Sequence, residues 1–261
     1  MLESDVAATG SIRVRRGAYG RSRQSDAVDY LTTTFRKEIT ALLKKHTELF
    51  LIRHGQTESN VAGLLHGATD VPLNQLGKKQ AEHVAMRIQE MTDLSAIYAS
   101  PLQRARDTAR AIAERTNLPL HLHPGLAEMN FGLAEGTVIS EIAQHYPEVW
   151  ERLNDLSDMD ARFPEGESRK EFATRIQSAL DDVINAHMGQ RVIVVAHGGV
   201  IAAATALMLG ESTGDWRRYS IANCSVTHFE ITTTGPVAHV ISDTVHLEAI
   251  EFETTVRGRS E

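Results

Sequence analysis

The 261-residue sequence has a single cysteine, Cys224, so no intrachain disulfide can form and a reducing compartment is the default. It has no surplus of positive charge. The formal net charge is −7, which argues against a general nucleic-acid binder, because such proteins usually carry a basic excess. No apolar run approaches the length of a membrane span, and no apolar leader segment opens the chain. A soluble, cytoplasmic protein with no membrane partner is therefore expected. No internal repeat is visible. What is present is an ordinary globular balance, 42% hydrophobic and 23% charged, in a chain long enough for one large α/β domain or two small ones.

The first 26 residues, with "SIRVRRGAYGRSRQSD", are rich in Arg, Ser and Gly and lack apolar periodicity, so they predict a flexible basic tail. An organelle transit peptide shares that composition, but Glu3 and Asp5 oppose it. Over 27–46, Val28, Leu31, Phe35, Ile39, Leu42 and Leu43 fall at helical spacing and predict an amphipathic helix with Asp26 as its N-cap. Its apolar stripe is a candidate homodimer contact. From 47 to 250 strands alternate with helices, and 251–261 reads as a tail. "ELFLI", "SAIYAS", "LPLHLHP" and "RVIVVAH" read as strands, the last with the continuous apolar run expected in the middle of a parallel sheet. Helices are expected from near Gly77, over "LQRARDTARAIAERTN", over 140–154 and 168–187, and over "VIAAATALML". "CSVTHFEIT" and "PVAHVISD", parted by Gly235-Pro236, read as an edge pair. The order predicts a three-layer α/β sandwich on a mainly parallel sheet, with a helical insertion at about 138–187.

In such a sheet ligands bind beyond the carboxyl ends of the strands. The first strand ends at Arg53-His54-Gly55, followed by Gln56, Thr57 and Asn60. The second runs into "ASPLQRARDT", with Arg104 and Arg106 in the first turn of a helix. The third leads to "GLAEMNFGLAEG", which contains Glu128, and the strong strand ends in "AHGG", with His197 before two glycines. Paired arginines suit a phosphate, because the planar guanidinium matches its oxygens. Glycines let backbone N–H groups approach an anion, and a helix N-terminus adds its dipole. A neutral histidine can be a covalent nucleophile, and a carboxylic acid can protonate a leaving alkoxide. Each feature alone is more often structural than catalytic; their convergence carries the weight. His121 and His123 alternate on one strand face, but no third ligand stands at metal-site spacing, so they read as strand-surface residues.

Five segments in order, "LIRHGQTESN", "LLHGATDVPLNQLG", "YASPLQRARDTA", "LAEMNFGLAEG" and "VVAHGG", resemble the histidine phosphatase superfamily, which includes phosphoglycerate mutases and small-molecule phosphatases. "FPEGESRKEFATR" resembles the family's Gly-Glu-Ser segment. The resemblance spans about Leu49 to Ile231 and implies the phosphoglycerate mutase-like fold. It implies that His54 becomes a phosphohistidine. Arg53, Arg104 and His197 would hold the phosphoryl group with Asn60, and Glu128 would be the proton donor. Thr57, Gln56, His66, Gly67 and Gly198 are the remaining candidate substrate-binding residues. No metal and no cofactor are implied.

Mutases of this family typically carry a Tyr three residues after the acid, an Asn two residues after the second His, and a longer insertion bearing paired Arg. Here Phe131 and Gly199 stand at those positions and the insertion is shorter. All three departures favour a phosphomonoester hydrolase acting on small phosphorylated metabolites or with broad specificity. Ala68 stands where many relatives carry a basic residue at the pocket rim, which weighs against recognition of a second anionic group, with His66 as its partial replacement. A mutase-like isomerase is the second reading, and a non-catalytic phosphate-binding protein the third. Tyr146, Trp150, Met159 and Phe163 are candidates for the entrance.

Overall fold

Residues 46–215 and 218–250 are described by a computed structural model. The basic tail of 1–26, all but the last residue of the 27–46 helix with its dimer contact, and the 251–261 tail lie outside the described residues.

Six strands form one sheet in the order β3-β2-β4-β1-β5-β6. They are β1 (Thr47–Arg53), β2 (Leu94–Ala99), β3 (Leu120–Leu122), β4 (Arg191–Ala196), β5 (Val226–Thr232) and β6 (Gly235–Asp243). β1 and β2 both pair parallel with β4, and β3 pairs parallel with β2. β5 and β6 add an antiparallel edge. Among the described residues the α-helices are α1 (Glu58–Val61), α2 (Gln75–Gln89), α3 (Gln103–Thr116), α4 (Ile142–His145), α5 (Pro147–Asn154), α6 (Arg169–Ala186) and α7 (Gly198–Met208).

Period-two alternation sends the two faces of the sheet into two cores. Leu49 and Leu51 of β1, with Val192 and Val194 of β4, pack with α6 and α7. Phe50, Ile52, Ile193 and Val195 pack with α2 and α3 on the other side. Each such aliphatic side chain contributes about 1.5–3 kcal/mol when fully buried. The register places Arg53 opposite Ala196, so His54 and His197 emerge side by side at adjacent strand ends.

Helix α2 starts at Gln75, close to the expected Gly77, where the Asn74 side chain accepts from Gly77 N at 2.8 Å and caps it. One expectation is corrected: the helix expected over 140–154 breaks into a short 3-10 turn, α4 and α5. Pro147 disfavours helical backbone at the preceding residue, and Tyr146 sits at φ −133°, ψ 59°.

Candidate active site

Beyond the carboxyl ends of β1 and β4 lies a cavity of about 480 Å³. At one end His54 is buried, and its Nδ1 is 2.7 Å from the carbonyl oxygen of Gly55. That contact assigns the Nδ1 hydrogen and leaves Nε2 as the unprotonated nitrogen. Burial, then Arg53 and Arg104, hold the His54 pKa well below 6.5.

Both arginines are anchored through part of their donor set. Arg53 Nη1 donates to Ile221 O at 2.6 Å. Arg104, buried in the first turn of α3, donates to Thr69 O at 2.9 Å and Gly67 O at 2.8 Å. Glu135 in turn holds that loop, accepting from Ala68 N and Thr69 N at 2.7 Å each. His197 is buried with its ring centroid 5.1 Å from that of His54. Its Nε2 meets Ser100 Oγ at 2.8 Å. Among the described residues, Arg53 Nε and His197 Nδ1 are buried without a partner. Uncompensated burial of such groups is costly, so they are donors suited to an anion.

Glu128 lines the cavity and accepts from Met129 N and Gly199 N, both at 3.0 Å. Burial raises its pKa against the pull of those donors and the two arginines. Its backbone is held by Arg175, which donates to Gly125 O and Ala127 O at 2.9 Å and forms a two-contact pair with Glu167. A side chain at Gly199 would meet Glu128 Oε1 at 2.5 Å. Asn60 and Thr57 close a capping box on α1, and Asn223 Nδ2 bridges His54 O at 3.0 Å and Asn60 Oδ1 at 3.3 Å.

Arg53, His54, Thr57, Asn60, His66, Arg104, Glu128 and Gly198 thus line one cavity, with His197 behind His54. Three expected residues stand elsewhere. Gln56 is outside the lining; its backbone and side chain bond to Gln80 and Asn74, tying the loop to α2. Gly67 is buried, serves Arg104 through its carbonyl, and would place a Cβ 1.8 Å from Met129 O. Arg106, noted with Arg104 in the first turn of the helix, does not line the cavity and lies 3.9 Å from Asp107. Gly55 is small for a different reason from anion access: a Cβ would fall 2.3 Å from the backbone oxygen of Gly77 in α2. Of the four entrance candidates, Trp150 and Phe163 line the cavity, whereas Tyr146 donates to Leu133 O at 2.7 Å and Met159 does not reach it. His121 packs against Tyr98 with tilted rings, and His123 accepts from Gly125 N at 3.0 Å, both away from the cavity.

Sequence reasoning missed Ser100, Asn223, Glu135 and Arg175. Ser100, Glu135 and Arg175 fall inside the quoted motif segments, so position in those segments was a usable signal; Asn223 had none.

Residues 49–244 match the family model of the histidine phosphatase superfamily (branch 1). Among curated proteins, the probable phosphoglycerate mutase GpmB of Escherichia fergusonii is 32% identical over 207 residues, 77% of this chain and 95% of the relative. Its namesake from Enterobacter sp. (strain 638) is 31% identical with the same coverage. Among solved structures, a phosphoserine phosphatase mutant of Entamoeba histolytica in complex with phosphoserine is 30% identical at TM-score 0.69, covering 77% of this chain and 99% of the other. A mycobacterial glucosyl-3-phosphoglycerate phosphatase is 27% identical at TM-score 0.66, covering 76% and 99%. No described helix is long and apolar enough to cross a membrane. The matched family model, spanning most of the chain, shows that this protein belongs to the histidine phosphatase superfamily.

Proposed function

We propose that the protein hydrolyses phosphomonoesters of small metabolites through a phosphohistidine on His54, without a metal. The observation that carries this reading is the neutral His54 ring, tied through Nδ1 and surrounded by cationic donors. Nε2 attacks phosphorus while Arg53, Arg104, His197 Nδ1 and the Asn60 amide hold the equatorial oxygens. The P–O bond to the substrate breaks on the opposite side, and Glu128, protonated through its raised pKa, gives its proton to the leaving oxygen. Glu128 then takes a proton from water, the hydroxide attacks phosphorus, and inorganic phosphate leaves with His54 restored. The N-terminus of α7, whose first residue is Gly198, adds favourable dipole.

Phosphoglycerate mutase-like transfer is the second reading, favoured by the name of the curated relatives. Against it stand Phe131 and Gly199 at the two positions where mutases carry Tyr and Asn. The test is phosphate release from p-nitrophenyl phosphate and a metabolite panel, with and without chelator. Release that survives chelation, and an acid-labile, base-stable phosphoprotein lost in His54→Ala, are the expected results. Interconversion of phosphoglycerates with no phosphate release would overturn hydrolysis in favour of transfer. Loss of activity on chelation would overturn the metal-free step.

A further inference from the structure

The cavity is much larger than a phosphoryl group, and its composition changes sharply away from His54. Its volume, about 480 Å³, is within the roughly 300–1,000 Å³ of small-molecule sites. A satellite apolar cluster, separate from the two cores that flank the sheet, forms around Ala134, Ile142 and Phe163. Leu65, Phe131, Ile142, Trp150, Leu153 and Phe163 belong both to that cluster and to the cavity lining. Leu65 and Phe131 therefore join residues of the insertion in an apolar wall of the same cavity that holds the phosphate clamp.

Charge on this side does not suit a second anionic group. Among the described residues, the arginines lining the cavity outside the clamp are Arg162 and Arg169, and His66, whose Nε2 meets Ser59 Oγ at 3.2 Å, is the single imidazole beside them. Arg169 is buried, and its terminal nitrogens are committed to the carbonyl oxygens of Leu153 at 2.5 Å, Asp155 at 2.8 Å and Asp158 at 3.3 Å. It fastens the 153–158 segment to the start of α6 instead of facing a ligand. Arg162 pairs with Glu171 at 3.3 Å at the surface. Asp215 adds a carboxylate to the same lining. A substrate whose far end is a carboxylate or a second phosphate would exchange water for apolar wall at that end, an unfavourable transfer.

We infer that the substrates are phosphomonoesters of bulky, apolar or aromatic alcohols, with the organic group seated against the wall of Leu65, Phe131, Trp150, Leu153 and Phe163. This rests on the phosphatase reading above and narrows it. Phosphoglycerates and phosphoserine, small and charged at the far end, are then poor substrates.

The test is kcat/KM along a series of ethyl, butyl and hexyl phosphate, with 1-naphthyl phosphate, 3-phosphoglycerate and phosphoserine alongside. The expected result is a rise of about fourfold per methylene, the equivalent of about 0.8 kcal/mol for each one buried. A flat series, or 3-phosphoglycerate or phosphoserine turned over better than hexyl phosphate, overturns the inference while leaving hydrolysis intact. Calorimetric titration of the His54→Ala protein separates recognition from chemistry. Hexyl phosphate binding at least tenfold more tightly than ethyl phosphate supports the apolar wall even if the wild-type protein hydrolyses nothing, and that outcome overturns the phosphatase reading alone. Equal binding overturns the inference. Trp150→Ala is expected to lower the hexyl-over-ethyl ratio at least fivefold, and Leu153→Ala serves where the first variant does not fold. An unchanged ratio in a folded variant overturns the seating.

Discussion

Gly199 and Glu128 share one space. A Cβ at 199 would crowd the Glu128 carboxyl, and the same backbone N–H fixes one of its oxygens. Gly199→Ala is therefore expected to displace the proton donor. Its effect should be at least tenfold on kcat for alkyl phosphates, whose leaving oxygen needs a proton, and smaller for p-nitrophenyl phosphate, which needs Glu128 only to activate water. Equal losses on both would place the defect in that shared water step. Glu128→Gln removes the donor and should cost on the order of a hundred- to ten-thousandfold on alkyl esters. The pH profile follows from two opposite shifts. Glu128 is raised above 4.5, so its proton persists to higher pH than usual and is lost as pH rises. His54 is depressed well below 6.5, so its Nε2 stays free of a proton on the acid side. The optimum for alkyl esters is thus expected on the acid side of neutral, and kcat/KM still climbing from pH 6 to pH 9 would contradict it.

At the scale of elements, the site depends on loops held by distant partners. Cys224 stands at φ 53°, a region that costs a non-glycine residue about 1–3 kcal/mol. That backbone sends its N–H to Arg53 O at 3.0 Å, and His246 Nε2 meets its carbonyl at 2.9 Å. Burial pushes the Cys224 thiol pKa up, so it serves packing and not reactivity. Arg175 does the same for the Glu128 segment. Arg175→Ala leaves the carbonyls of Gly125 and Ala127 without their donor, for an expected loss of about 1–3 kcal/mol in denaturant unfolding. Because it acts through Glu128, it should also lower kcat on alkyl esters more than on p-nitrophenyl phosphate. Asn74→Ala removes the cap of α2 and should cost about 1 kcal/mol with kcat little changed.

For the whole molecule, burial holds His54, His197, His228 and His246 below 6.5, the last at about 4. Each takes up a proton in the unfolded chain at a pH where the folded protein does not. The stability gained by keeping them neutral is complete above about pH 6.5 and is lost as pH falls from there toward the folded values. Glu128 acts in the opposite sense, its contribution present below 4.5 and lost as pH rises through its raised value. One group opposes four, so the thermal midpoint is expected to fall between pH 7 and pH 5. A midpoint flat or rising over that interval would show that these rings are not buried neutral.

The layer order, the four converging segments and the phosphate-type chemistry were legible in the sequence because they are local. Apolar alternation in "LFLI" and "VIVV" specifies strands, and Arg53, His54 and His197 stand directly at their ends. Tertiary structure alone decided what each small residue is for. Gly55 admits Gly77, Gly67 supports Arg104, and Gly199 yields to Glu128. Those pairings join residues 22, 37 and 71 positions apart in the chain. No sequence period reports them. The same holds for Ser100 against His197 and for the apolar wall, in which Leu65 and Phe131 meet the insertion only after the sheet has brought its loops to one edge. The sequence determined which groups arrive at the strand ends. Packing between distant segments determined their protonation, their partners and the shape of the space they face.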